Sequence, residues 1–178
     1  PVKSGERYFY VWSHRKNIGT PLDTGSMLMI AEFDPVHPER LISEPKCLSR
    51  PLYGFENTER TINNEGPYAF YYHNKIYLAY SGGDARGYLY AIGMLTANDG
   101  DDLCDLSVWE KAKTPIASFA TIPGEYGPGH NSFFWDRDQN LWIAYHAVTS
   151  FEEKIVSSGM RRVYFEQDKT PRFDVIVE

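Results

Sequence analysis

The chain has 178 residues, with 18 Lys and Arg against 24 Asp and Glu and a net charge of −6. That length suffices for one domain with a real core. The negative balance argues against a nucleic acid or an anionic membrane as partner, because both need clustered positive charge. Taken in order, the apolar segments read as short strands rather than helices. "RYFYVWS" (7–13) and "SMLMIAEF" (26–33) are rich in aromatic and β-branched or long apolar residues, and Asp34-Pro35 closes the second as a turn. "GPYAFYY" (66–72) and "KIYLAYS" (75–81) flank the break "HNK", a hairpin turn. "YLYAIGML" (88–95) and "SVWEKA" (107–112) follow, separated by the loop "TANDGDDLCDL". "NSFFWDR" (131–137), "NLWIAYH" (140–146) and "RRVYFEQ" (161–167) complete the series.

Three of these segments, 7–13, 75–81 and 140–146, align without gaps and place Trp12, Tyr80 and Tyr145 in one column. Tyr80 follows Trp12 by 68 residues, and Tyr145 follows Tyr80 by 65. A repeated antiparallel meander of about 65 residues is the signature of a β-propeller. The expected fold is therefore all-β, with four-stranded antiparallel blades over roughly 1–52, 65–116 and 129–178 of a single propeller domain. Three units are few for closure, since propellers carry about 4–8 blades. Trp135-Asp136 and Gly129-His130 spell the dipeptides of another propeller class, but they stand only a few residues apart and do not recur. The two cysteines, Cys47 and Cys104, form neither a disulfide framework nor a zinc site and read as free structural thiols.

The same alignment selects two polar residues. Glu65 lies ten residues before Lys75, and His130 ten before Asn140. Both fall at the start of a blade's first strand, which lines a propeller's central channel, so the two are expected in equivalent positions facing one channel. Glycines around His130 in "YGPGHNSF" (126–133) suit a close approach of backbone to a ligand. In the first unit the corresponding position precedes Pro1. The N-terminus "PVKSGERYFYVWS" is neither a signal nor a transit peptide and lacks an initiator Met, as in a chain that starts mid-gene or after cleavage. The compartment, cytoplasmic or secreted, stays open.

"NNEGP" (63–67), "YLAYSGG" (77–83), "IGMLTA" (92–97), "YGPGHNSFFWD" (126–136) and "LWIAYHA" (141–147) together resemble family 43 of the glycoside hydrolases, and "MLMIAEFDPVHPERLISEP" (27–45) resembles the strand and linker that precede its acidic motif. The resemblance implies a five-bladed propeller, with about three of the five blades present, that cleaves arabinose- or xylose-containing plant polysaccharide fragments with inversion, as an α-L-arabinofuranosidase or a β-xylosidase. It matches Glu65 to the general acid and His130 to the axial histidine, which holds sugar, a central metal or water. It also requires two aspartates on inner strands of earlier blades, one the general base and one that tunes the acid. Asp23, Asp34 and Asp84 are not in the inner column, so the isolated chain is expected to lack a base. Arg161-Arg162 stands where relatives often show Gln-Pro, and either arginine is expected to face the channel as a substrate contact. Phe55, Tyr68 and Tyr126, each near an inner-strand start, are expected to stack on sugar.

No cofactor is required on this reading. The resemblance admits a calcium on the propeller axis, while "ANDGDD" (97–102) lacks the alternating oxygen ligands of a calcium loop. The expected partners are an arabino- or xylo-oligosaccharide and either missing N-terminal blades or a second chain. Two other classes remain open: a sugar-binding propeller without turnover, and a subunit that completes another chain.

Overall fold

The computed structural model describes residues 1–153 and 155–175. The last three residues of the third expected unit, 176–178, lie outside the described residues. Four sheets, all antiparallel, account for the regular structure. The first contains β1 (Val2–Ser4), β2 (Arg7–Arg15), β3 (Ser26–Glu32) and β4 (Lys46–Ser49) in sequence order. The second contains β5 (Asn64–Tyr72), β6 (Lys75–Gly82), β7 (Ala91–Asn98) and β8 (Glu110–Lys111), also in order. The third joins β9 (Tyr126–Trp135), β10 (Leu141–Val148) and β11 (Val156–Arg162), and a small ribbon pairs β12 (Tyr164–Phe165) with β13 (Pro171–Arg172). Among the described residues, helix is confined to two short 3-10 turns, Gly54–Glu56 and Leu106–Val108. Among the described residues, no helix is long and apolar enough to cross a membrane.

The sheets stack face to face, and strand alternation decides which side chain enters which core. Phe9, Leu28 and Ile30 of the first sheet meet Ile76, Leu78, Tyr80 and Leu95 of the second. Tyr77, Ala79, Ile92 and Met94, on the second sheet's other face, meet Phe133, Leu141, Ile143 and Tyr145 of the third. The second sheet is thus covered on both sides, which is why every residue of β6 after Lys75 is buried. β11 instead alternates exposed and half-buried residues, as a strand with one open face does.

Trp12, Tyr80 and Tyr145 all lie on the second strand of their sheets, as the repeat requires. They also turn the same way. Tyr80 faces the first sheet, Tyr145 faces the second, and Trp12, opposite Met29, points away from the second. Tyr80 and Tyr145 each lie over a glycine on the neighbouring strand. A Cβ on Gly93 would come within 2.4 Å of the Tyr80 ring, and one on Gly159 within 2.8 Å of the Tyr145 ring.

Several strand positions depart from the sequence reading. The third strand of the middle unit is Ala91–Asn98 rather than 88–95, because Tyr88 to Tyr90 remain in the approach loop. In the last unit it is Val156–Arg162 rather than 161–167. Its SSGM core was too polar to be read as a strand, and its open face explains that polarity. The expected strand 107–112 shrinks to Glu110–Lys111, because Asp105 accepts the Ser107 N–H at 3.0 Å and caps a 3-10 turn.

Candidate active site

β5 and β9 each begin with a β-bulge, and the bulges build the site. In β5, Glu65 pairs with Ser81 and Tyr68 with Ala79, so one extra residue sits between them. In β9, Gly129 pairs with His146 and Ser132 with Ala144, with the same excess. Because Ser81 and His146 align, the counterpart of Glu65 is Gly129, and the counterpart of His130 is Gly66. The expected equivalence of Glu65 and His130 is therefore off by one. The cause is turn length. His73 and Asn74, both at positive φ, close the β5–β6 hairpin, while three residues separate Asp136 from Asn140, whose backbones pair at 2.9 Å.

Gly66 (φ 57°) and His130 (φ 53°) share the left-handed bulge conformation. Each donates its backbone N–H to a serine on the preceding sheet. Gly66 reaches Ser13 Oγ at 3.2 Å, and His130 reaches Ser81 Oγ at 2.7 Å. Ser13, Ser81 and His146 occupy one column of the repeat. The offset still brings the two predicted residues together, because the His130 ring lies 3.6 Å from where a Cβ on Gly66 would stand. Glu65 is half-buried and His130 exposed.

Two residues that the sequence reading did not single out complete the cluster. Tyr90, fully buried, donates its hydroxyl to Glu65 Oε1 at 2.8 Å. Its ring lies nearly parallel to His146 at 5.6 Å, and His146 in turn lies 6.3 Å from His130. Burial pushes the Tyr90 hydroxyl pKa up, with the Glu65 charge adding to it. Burial and then the neighbouring His130 push His146 down, which keeps its imidazole neutral. The glycines of "GPGHN" make room for this packing. A Cβ on Gly129 would stand 2.0 Å from the Tyr90 ring, and one on Gly127 would meet the Gly87 carbonyl at 2.3 Å.

Behind the site stand two clamps that follow the repeat. Fully buried Glu56 accepts from the Tyr80 hydroxyl at 2.7 Å, from Asn64 at 2.9 Å and from the backbone N–H groups of Leu52 and Tyr53, and it pairs with Lys111 at 2.5 Å. Glu125 repeats the arrangement with the Tyr145 hydroxyl at 2.5 Å and Arg161 at 2.8 Å. Arg161 also donates to the Tyr145 oxygen at 2.7 Å. Arg161 and Arg162 therefore do not fulfil the expectation of channel-facing arginines. The first is committed to Glu125, the second lies exposed on β11 over the Tyr164 ring at 5.1 Å, and neither pairs with Glu65 among the described residues.

Of the expected rim aromatics, Phe55 is half-buried over Gly82, where a Cβ would lie 3.2 Å from its ring, one step from Glu65 along the ladder. Tyr68 is 43% exposed on β5. Tyr126 packs against Phe151 at 3.9 Å and edge-on to Tyr88 at 6.1 Å, at the start of β9. Asp23 pairs with Arg15 at 2.7 Å, and Asp34 and Asp84 accept backbone N–H groups two residues ahead, as turn residues do. The acids of "ANDGDD" are likewise engaged, Asp99 by the Gly5 N–H and Asp102 by Arg7 at 3.0 Å. No three His, Cys, Asp or Glu side chains converge as a metal site among the described residues. Calcium takes about 6–8 oxygen ligands; Glu65, His130 and His146 supply one carboxylate and two imidazoles, so these residues alone do not make such a site.

The family model "Glycosyl hydrolases family 43" matches residues 2–171. An extracellular exo-α-(1→5)-L-arabinofuranosidase of Streptomyces avermitilis is 29% identical over 184 aligned positions, covering 99% of this chain and 37% of that protein. A protein of the same description from Streptomyces chartreusis is 34% identical over 144 positions, covering 80% and 42%. The crystal structure of an α-L-arabinofuranosidase from Lactobacillus brevis superposes with a TM-score of 0.81 at 27% identity, over 97% of this chain and 53% of that one. The chain thus spans roughly two fifths of these curated relatives and about half of the solved one. With two four-stranded antiparallel sheets, a third of three strands, and a family match over nearly its whole length, the chain belongs to glycosyl hydrolase family 43.

Proposed function

We propose that the protein is a glycoside hydrolase that removes L-arabinofuranosyl residues from arabinose-containing polysaccharide by inverting hydrolysis, with Glu65 as the general acid. One observation carries the assignment. Glu65 is a half-buried carboxyl whose Oε1 is fixed by Tyr90, while Oε2 has no protein partner among the described residues. The names of the curated relatives favour arabinofuranoside over xyloside as the substrate.

In the proposed step, Glu65 gives its proton to the glycosidic oxygen as the bond to the anomeric carbon breaks, and the bonding pair leaves with that oxygen. A water attacks the opposite face and loses its proton to a second carboxylate. Inversion needs that carboxylate about 6.5–9.5 Å from the acid. We place it, together with the aspartate that tunes Glu65, outside these 178 residues. His130 and the Phe55, Tyr68 and Tyr126 rings are the proposed sugar contacts, since flat apolar faces with polar tips suit sugar rings.

In the complete enzyme, Glu65→Gln is expected to lower kcat on arabino-oligosaccharides by about 10²–10⁴-fold, the contribution of general acid catalysis. Aryl arabinofuranosides, whose leaving groups need little protonation, should lose far less. Equal losses on both substrates would remove Glu65 from the acid role. Sugar binding by the complete protein with no turnover would point to a binding propeller instead.

A further inference from the structure

The hydrogen bond at Glu65 has a direction. Tyr90 is fully buried, and its hydroxyl donates to Glu65 Oε1 at 2.8 Å. Among the described residues Glu65 is the acceptor within reach of that hydroxyl, so reversing the bond would leave a buried hydrogen without a partner. The ring that carries the hydroxyl is held in place as well. It lies against His146 and over Gly129, where no side chain fits.

We propose that Tyr90 is a positioning residue for the acid: its hydroxyl reserves Oε1 of Glu65 as an acceptor, so that the proton delivered to substrate is held on Oε2. This rests on the reading of Glu65 as general acid. A carboxylic acid carries its proton on either oxygen, and only one of them faces the leaving group. A donor fixed on the other oxygen removes the unproductive form and locks the carboxyl plane. Tyr90 need not touch the sugar.

The test uses the complete enzyme, two substrates and a double-mutant cycle. Tyr90→Phe keeps the ring and removes the hydroxyl. It is expected to lower kcat on an arabino-oligosaccharide by at least about 10-fold, part of the ~10²–10⁴-fold that general acid catalysis supplies. On 4-nitrophenyl arabinofuranoside the loss should stay within a few-fold. In the Glu65→Gln background, Tyr90→Phe should cost nothing more on the oligosaccharide, because its effect runs through the acid. Equal losses on both substrates, or an undiminished loss in the Glu65→Gln background, would show a merely structural tyrosine and overturn the proposal. If Glu65→Gln itself shows no dependence on the leaving group, the acid assignment has failed instead. Should Tyr90→Phe not fold, Gly129→Ala, whose methyl would crowd the Tyr90 ring and shift its hydroxyl from Glu65, is read by the same two criteria.

Discussion

Glu56 shows how a charge can be buried at the foot of the candidate site. Its carboxylate is inaccessible, yet two backbone N–H groups, Asn64, Tyr80 and Lys111 surround it. A buried ion pair adds little net stability while whole, because desolvation offsets attraction, but removing one partner strands the other. Burial already pulls the Lys111 pKa down, and the bond to Glu56 opposes that shift. Glu56→Ala is therefore expected to cost about 3–5 kcal/mol, the range for breaking such a pair, measured by urea unfolding. Because Asn64 precedes the proposed acid and loses its partner too, activity should fall further than the folded fraction does. A cost below 1 kcal/mol would show that the clamp is not needed.

At the level of strands, what the sequence disclosed and what it hid have separate physical causes. Second strands were legible because aromatic and branched residues crowd strands that face a core, and the Trp12, Tyr80 and Tyr145 column survived inspection in space. Glu65 and His130 were legible through neighbouring glycines and a shared offset, although the offset was one residue out. Bulges and turn lengths are set by backbone geometry, and the extra residue in the β9–β10 turn has no apolar signature. Tyr90 was read as part of a strand, and nothing in "YLYAIG" says that its hydroxyl reaches Glu65 across the sheet. His146 does carry a signal, since it shares a column with Ser13 and Ser81. Gly129→Ala tests the packing that sequence could not reveal. A methyl there would meet the Tyr90 ring at 2.0 Å, so overpacking of about 1–3 kcal/mol is expected, with the oligosaccharide activity lost ahead of stability. Unchanged melting and unchanged activity would mean that the ring moves aside freely.

The molecule as a whole keeps three tyrosine hydroxyls, those of Tyr80, Tyr90 and Tyr145, bonded to carboxylates between sheets. Burial is the main cause that raises all three pKa values, with the adjacent carboxylate adding to it. Each proton is thus held more tightly in the folded state than in the unfolded one. The stability this gives is whole below the unfolded tyrosine value of about 10 and falls away as the pH rises above it. Spectrophotometric titration should find these three of the 13 tyrosines ionising only as the fold is lost. Smooth ionisation of all 13 before unfolding would contradict this. The common orientation of Trp12, Tyr80 and Tyr145 also gives the stack a front and a back that differ. The front of the first sheet carries Tyr10, Trp12 and Met29, and the back of the third carries Phe134, Trp142 and Met160. Two unlike faces favour a head-to-tail contact between copies over a two-fold one, which needs the same patch on both. Repetition of a head-to-tail contact either closes into a ring or continues without limit. Wherever both ends stand uncovered, growth with concentration should appear in sedimentation as a ladder of species rather than as a single dimer, and Trp12→Lys, which alters one end only, should stop it.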